Sequence, residues 1–329
     1  MPIQIRADRG VVYLDENKAR CSKYPLEPLF RSIYFINPEF DPRFIDVVTD
    51  RKNLRKLLKI ICGKSVQDFH IDLELVGETL LFSRWENSAK SYINDAEGYG
   101  HEFEKALGTY PKSLRRSTSH HRVIRYSLAG MTILLRFEAD GYLPSKNIST
   151  VSSSKPVVRQ RHSANAPIRS YHTNSHPAES SIDVIHAGHD VPHSSLVELK
   201  TCYENKGLST SKVIDQLWFG QARNLKIGYH NDGTFKRIDE RDIQENEEFQ
   251  RFGRTKGQDL RKMINVIENI RKLMKELGIV DAVLICEEGS LHLYKKQNCA
   301  HTLPQDLLSR WNSPPDHESP RGGLQIQMS

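Results

Sequence analysis

Two short acidic motifs at the ends of apolar runs carry the residue types that phosphate chemistry uses. Ser194-Ser195-Leu196-Val197 leads into Glu198-Leu199-Lys200-Thr201. This run reads as a strand, and alternation along a strand turns Glu198 and Lys200 to the same face. Upstream, Met131-Thr132-Ile133-Leu134-Leu135-Arg136-Phe137 is strongly apolar and ends in Glu138-Ala139-Asp140-Gly141, so two more acids share one strand face. Carboxylates crowded beside one lysine repel each other unless a divalent cation holds them. Such a constellation predicts metal-dependent phosphate hydrolysis. Charges also end strands simply because the chain is leaving the core for water, and for either motif alone that reading suffices. Together the two motifs are less easily explained that way.

The elements that must position these residues are legible around them. Gly98-Tyr99-Gly100-His101-Glu102-Phe103-Glu104-Lys105-Ala106-Leu107 reads as a helix with glycines at its start, which sets Glu104 one turn in, beside the apolar Phe103 and Leu107. Leu260, Met263, Ile264, Ile267, Ile270, Met274 and Leu277 recur every three or four residues before Gly278, predicting an amphipathic helix from Asp259 to Leu277 whose stripe is core. Asp281 to Cys286, the turn Glu287-Glu288-Gly289 and Ser290 to Tyr294 read as a hairpin. Ser181 to Ile185 reads as a short strand ahead of the one carrying Glu198. Between the two acidic strands, residues 144–180 are rich in Ser, Pro, His and Arg, the composition of a disordered insertion. His162, His172, His176, His186, His189 and His193 fall in or after it, but their irregular spacing and the preference of phosphate-cleaving centres for hard oxygen ligands argue against a histidine metal site.

In this order, Gly100 to Glu104, Glu138-Ala139-Asp140 and Glu198-Leu199-Lys200 resemble the metal-site motifs of the DXO/RAI-like decapping nucleases, a family whose core is similar to the PD-(D/E)XK nucleases. Gln216-Leu217-Trp218-Phe219, leading into Leu225 to Tyr229, resembles the family's glutamine-bearing helix and the strand after it. Phe69 to Leu80 resembles its early hairpin. The resemblance spans roughly residues 45–296, and its specificity lies in the ordered set. The family's tryptophan-arginine-glycine motif has its best match in Asp50-Arg51-Lys52, where only the arginine is kept. No match is found to the family's long N-terminal sheet region with its additional arginine.

The resemblance implies an α+β chain with a single mixed-sheet domain and flanking helices: a short N-terminal segment at 1–44, the nuclease domain at 45–296 and a flexible tail at 297–329. It implies that Glu104, Asp140, Glu198 and the carbonyl of Leu199 ligate Mg²⁺ or Mn²⁺. Glu138 would order the attacking water, and Lys200 would hold that water or offset charge developing on the phosphate. Gln216 and Arg51 would bind substrate phosphates. The expected partner is an RNA 5′ end bearing a triphosphate, an unmethylated guanosine or an NAD cap. Some members also degrade RNA 5′ to 3′, and some bind a larger nuclear 5′ to 3′ exoribonuclease.

Composition is compatible with this. The 329 residues suffice for a large core. The formal charge of +6 is mild, and Arg51 to Arg55-Lys56 and Lys112 to Arg116 are basic clusters that either contact phosphates or are solvated faces. No apolar run approaches the roughly 18 residues of a membrane helix, and Met1 to Arg6 lacks a signal-peptide core, so the expected location is cytosol or nucleus, with no membrane partner. Five scattered cysteines without a Cys-x-x-Cys pair support neither a disulfide framework nor a cysteine zinc site. Two other classes share the acids: a PD-(D/E)XK DNA nuclease, and a non-catalytic RNA-binding or partner protein. A prenyl-diphosphate synthase is argued against by the lack of a DDxxD helix.

Overall fold

The computed structural model describes residues 2–93, 98–115, 117–144, 182–185, 187–297 and 301–312. Its strands are β1 (Ile3–Gln4), β2 (Gly10–Tyr13), β3 (Val47–Asp50), β4 (Phe69–Val76), β5 (Thr79–Arg84), β6 (Lys90–Ile93), β7 (His121–Leu128), β8 (Met131–Glu138), β9 (Gly141–Tyr142), β10 (Leu196–Tyr203), β11 (Asn224–Asn231), β12 (Thr234–Asp242), β13 (Asp281–Glu287) and β14 (Ser290–Lys295). Its α-helices are α1 (Glu16–Arg20), α2 (Glu27–Ile36), α3 (Arg51–Ile61), α4 (Gly100–Leu107), α5 (Ile214–Gly220), α6 (Glu247–Thr255), α7 (Gly257–Glu276) and α8 (Gln305–Leu308).

Seven strands form one sheet in the order β14-β13-β4-β5-β3-β8-β7, with β3 parallel to both β5 and β8. Its central strands are apolar on both faces because both faces are covered. Val47, Leu80, Ile133 and Leu135 point into one core with Leu54, Leu57 and Leu58 of α3 and the α7 stripe. Their neighbours Val48, Leu81 and Leu134 point into the opposite core with Leu29 and Phe30 of α2. Alternation thus assigns successive residues of one run to two cores.

A second sheet runs β1-β12-β11-β10-β9, with β10 parallel to β11. The chain passes between the sheets at Ala139-Asp140, since Glu138 ends β8 and Gly141 begins β9. A third, two-stranded ribbon pairs β2 with β6.

Two expectations are corrected. Ile182 to Ile185 is irregular rather than a strand. Residues 301–311 are packed rather than loose: Leu303, Leu307, Leu308 and Trp311 are buried against α2, Trp311 Nε1 donates to Thr79 Oγ1 at 2.8 Å, and Thr302 donates twice to the buried Glu74. The four anchors fall at i, i+4, i+5 and i+8, a helical spacing that lasts barely two turns inside a polar, proline-bearing stretch, yet each apolar side chain is worth about 1.5–3 kcal/mol once buried. The segment 1–44 also packs, through β1 on β12 and through α2. The expected insertion lies outside the described residues from 145 to 180, as do His162, His172, His176, His186, Cys299, Arg116 and the tail beyond 312. Among the described residues no helix is long and apolar enough to cross a membrane.

Candidate active site

The acidic motifs meet where the two sheets join. Asp140, in the link from β8 to β9, accepts the Leu199 backbone N–H at 2.7 Å through Oδ2. That bond fixes it beside the middle of β10, where Glu198 and Lys200 project on one side as alternation requires. Lys200 Nζ donates to Glu198 Oε1 at 2.8 Å, to the Leu199 carbonyl at 2.8 Å and to Asp140 Oδ2 at 3.5 Å.

Glu104 arrives from α4. Its neighbour Phe103 is buried among Val197, Leu199 and Phe235, so the helix sits on β10 and β11. Gly228 makes that possible: a Cβ there would lie 2.5 Å from the Phe103 ring and 2.8 Å from Phe235. Asp8 holds the start of the helix, accepting the His101 and Glu102 N–H groups at 3.2 and 2.9 Å.

Arg51, the first residue of α3, is buried and aimed into the site. Its Nη1 is 3.1 Å from Glu198 Oε2, its Nη2 donates to the Glu138 carbonyl at 3.3 Å, and its guanidinium lies 4.9 Å from the Phe137 ring centroid. Gln216 Nε2 donates to Glu198 Oε1, while Gln216 Oε1 accepts from Arg55 Nη1 at 3.2 Å. Arg55 also pairs with Asp215 at 3.0 Å. The arginine and glutamine expected on substrate phosphates are therefore directed at Glu198 in this structure. Arg55, Asp215 and Asp8 complete the support and carried no signal of their own, apart from Arg55's place in a basic cluster.

The charges divide the carboxylates into two kinds. Glu198 is almost wholly buried, which by itself raises its carboxyl, but Arg51 and Lys200 outweigh burial and hold it below the usual range. Lys200 is correspondingly raised: burial works against its charge, and Glu198 and Asp140 prevail. Asp140 is pushed well above the usual carboxylate range by burial and then by Glu198 and Glu104, which Lys200 only partly offsets. Burial also raises Glu104, and it raises Glu138 with help from Glu16. Among the described residues the Glu104 and Glu138 side chains accept no hydrogen bond. A set of under-compensated carboxylates beside a backbone carbonyl is the donor chemistry that hard divalent cations take. The residues thus fit such an ion in type, although among the described residues no three acidic, histidine or cysteine side chains converge as ligands of one ion.

Of these groups Glu104, Glu138, Asp140, Arg51 and Leu199 line a cleft of about 1290 Å³, together with Lys52 and Arg84. Its rim is basic. Glu86 takes Lys52 at 2.9 Å and Arg84 at 2.7 Å, and these bonds overcome burial to hold its carboxyl at about 2. Of the histidines argued against as a metal site, His189 lines the cleft edge-on to Tyr142 with ring centroids 5.5 Å apart, and His193 Nε2 lies 3.0 Å from the Gln221 carbonyl.

The fold is that of the DXO/RAI-like nucleases. Rai1 of Scheffersomyces stipitis, in complex with (3′-NADP)+ and calcium ion, superimposes with a TM-score of 0.55 at 13% identity, covering 89% of this chain and 80% of that one. Rai1 of S. pombe in complex with 3′-FADP gives 0.50 at 14% identity, covering 89% and 86%. A mutant of the S. pombe protein with the same ligand gives 0.51 at 12% identity, with the same coverage. The expected α+β mixed-sheet architecture with flanking helices is what the chain adopts. By sequence, the chain belongs to the family described as a domain of unknown function, DUF8563, whose model matches residues 1–311. No curated protein matches it.

Proposed function

We propose that the chain is a divalent-metal-dependent hydrolase of RNA 5′ ends, acting on the phosphoanhydride or first phosphodiester bonds of triphosphate, unmethylated-guanosine or NAD-capped RNA. The observation that carries this is the placing of Glu104, Glu138 and Asp140 on the wall of one cleft, with Lys200 bonded to both Asp140 and Glu198 beside them. The ligands in the S. stipitis Rai1 structure, a dinucleotide and a hard cation, support the same reading.

Glu104, Asp140, Glu198 and the Leu199 carbonyl would hold Mg²⁺ or Mn²⁺, and such an ion, when bound, acidifies water and offsets charge on a phosphate. The chain's own groups do the rest. Arg51 and Gln216 fix the Glu198 carboxylate in one orientation. Lys200, kept protonated by its two acids, presents an ammonium to the charge that grows on the phosphoryl oxygens. Glu138, open to the cleft and with its carboxyl raised, is suited to accept the proton of the attacking water as the bond to the leaving oxygen breaks. Lys52 and Arg84 draw a polyanion toward the wall.

The test is release of the labelled 5′ group from RNAs bearing each of the three ends, in Mn²⁺ or Mg²⁺, with Glu138→Gln and Lys200→Ala alongside the wild type. Metal-dependent release lost in both variants is expected. Inertness of all three RNAs, with cleavage of duplex DNA instead, would transfer the site to a DNA nuclease.

A further inference from the structure

We infer that the exposed face of the β2–β6 ribbon is a docking surface for the single-stranded RNA body as it leaves the cleft, an inference that rests on the proposed action at RNA 5′ ends. In this antiparallel pair Val11 lies opposite Tyr92 and Tyr13 opposite Lys90. Directly opposed residues share a face, so these four side chains form one surface. It is apolar and open: Val11 is 56%, Tyr13 40% and Tyr92 64% exposed.

Three features select a polyanion with flat bases as the occupant. Tyr13 stands between two cations, with the Arg20 guanidinium 5.4 Å and Lys90 Nζ 5.5 Å from its ring centroid. Among the described residues no carboxylate pairs with Lys90, whereas Arg20 is bound by Glu16 at 2.7 Å. Val11, Val12, Tyr13 and Leu14 also line the cleft, together with the exposed Arg9, so the ribbon continues the wall that carries the acidic site. Aromatic rings interleaved with cations are how proteins hold single strands without reading sequence, by stacking bases and tracking phosphates. An apolar protein partner would not need the two cations.

Binding is read by anisotropy of a 3′-fluorescein RNA of about 20 nucleotides with a 5′ triphosphate, in calcium, with a triphosphate dinucleotide as competitor. Tyr13→Ala with Tyr92→Ala is expected to lower the affinity ratio of long to short RNA roughly tenfold or more, and Tyr13→Phe with Tyr92→Phe to keep it, because stacking needs the ring and not the hydroxyl. A ratio that moves less than about twofold in the alanine pair, with circular dichroism unchanged, overturns the inference and leaves the face to a protein partner. If the wild type releases no 5′ group yet the alanine pair still weakens the long RNA, the hydrolase reading falls while the ribbon stands.

Discussion

Asp50 and Arg136 form a two-pronged ion pair, Nε to Oδ1 at 2.7 Å and Nη2 to Oδ2 at 3.0 Å, between adjacent parallel strands of the seven-stranded sheet. Arg136 is buried and also donates to the Pro25 carbonyl at 3.0 Å. Asp50 stands where the resembling family has tryptophan, so the departure has a structural use: it fixes the strand end from which Arg51 reaches Glu198. Arg136→Met leaves Asp50 half-buried without its partner and should cost about 3–5 kcal/mol in urea unfolding. Asp50→Ala combined with Arg136→Met should recover most of that, since neither charge is then stranded. A loss below about 1 kcal/mol for the single variant would show the pair to be incidental.

Gly228→Ala tests how Glu104 is placed. With the Phe103 ring 2.5 Å from the added carbon, α4 must shift or the ring must leave its pocket. The expected cost is about 1–3 kcal/mol of stability, accompanied by a fall in turnover larger than the fraction of protein unfolded. Full activity in a fully folded variant would detach Glu104 from the chemistry.

His121 sets an acid limit on the fold. Burial, reinforced by Arg136, lowers its pKa from the ordinary 6.5 to about 4, and its Nε2 lies 3.2 Å from the Asn17 amide, a bond the neutral ring accepts. The unfolded chain takes up the proton near 6.5 and the folded chain only near 4, so this stabilisation is complete above 6.5 and drains away as pH falls toward 4. The loss is at most about 3 kcal/mol. In urea melts across that window the fall of stability with falling pH should be shallower for His121→Gln than for the wild type. Identical slopes would assign the acid sensitivity to other groups.

The site is expected to trade stability for function. Burial, and then Glu198 and Glu104, work against a charge on Asp140 and push its carboxyl well above the usual range. Asp140→Asn keeps an acceptor for the Leu199 N–H and removes the charge, so in chelator it should raise stability by about 0.5–2 kcal/mol while abolishing turnover. Lys200→Ala should lower turnover about 10²–10³-fold. An Asp140→Asn protein less stable than wild type in chelator would contradict the electrostatic reading.

Local pattern carried the site further than it carried the fold. Alternation placed Glu198 and Lys200 together, and the apolar stripe from Leu260 to Met274 became the buried face of α7, because both signals are periodic. The buried Glu74 with Thr302, and the burial of Trp311, were not legible, since partners more than two hundred residues apart leave no spacing to read. Nor was the commitment of Arg51 to Glu198: a basic cluster does not say which of its members turns inward.

The proposed hydrolysis requires that these carboxylates hold a divalent ion. Its most direct test is Mn²⁺ binding followed by electron paramagnetic resonance, comparing wild type with Glu104→Gln combined with Asp140→Asn. Wild type should show protein-bound Mn²⁺ and the variant free Mn²⁺, with both proteins folded. Equal binding by the two, or none by the wild type, would contradict it.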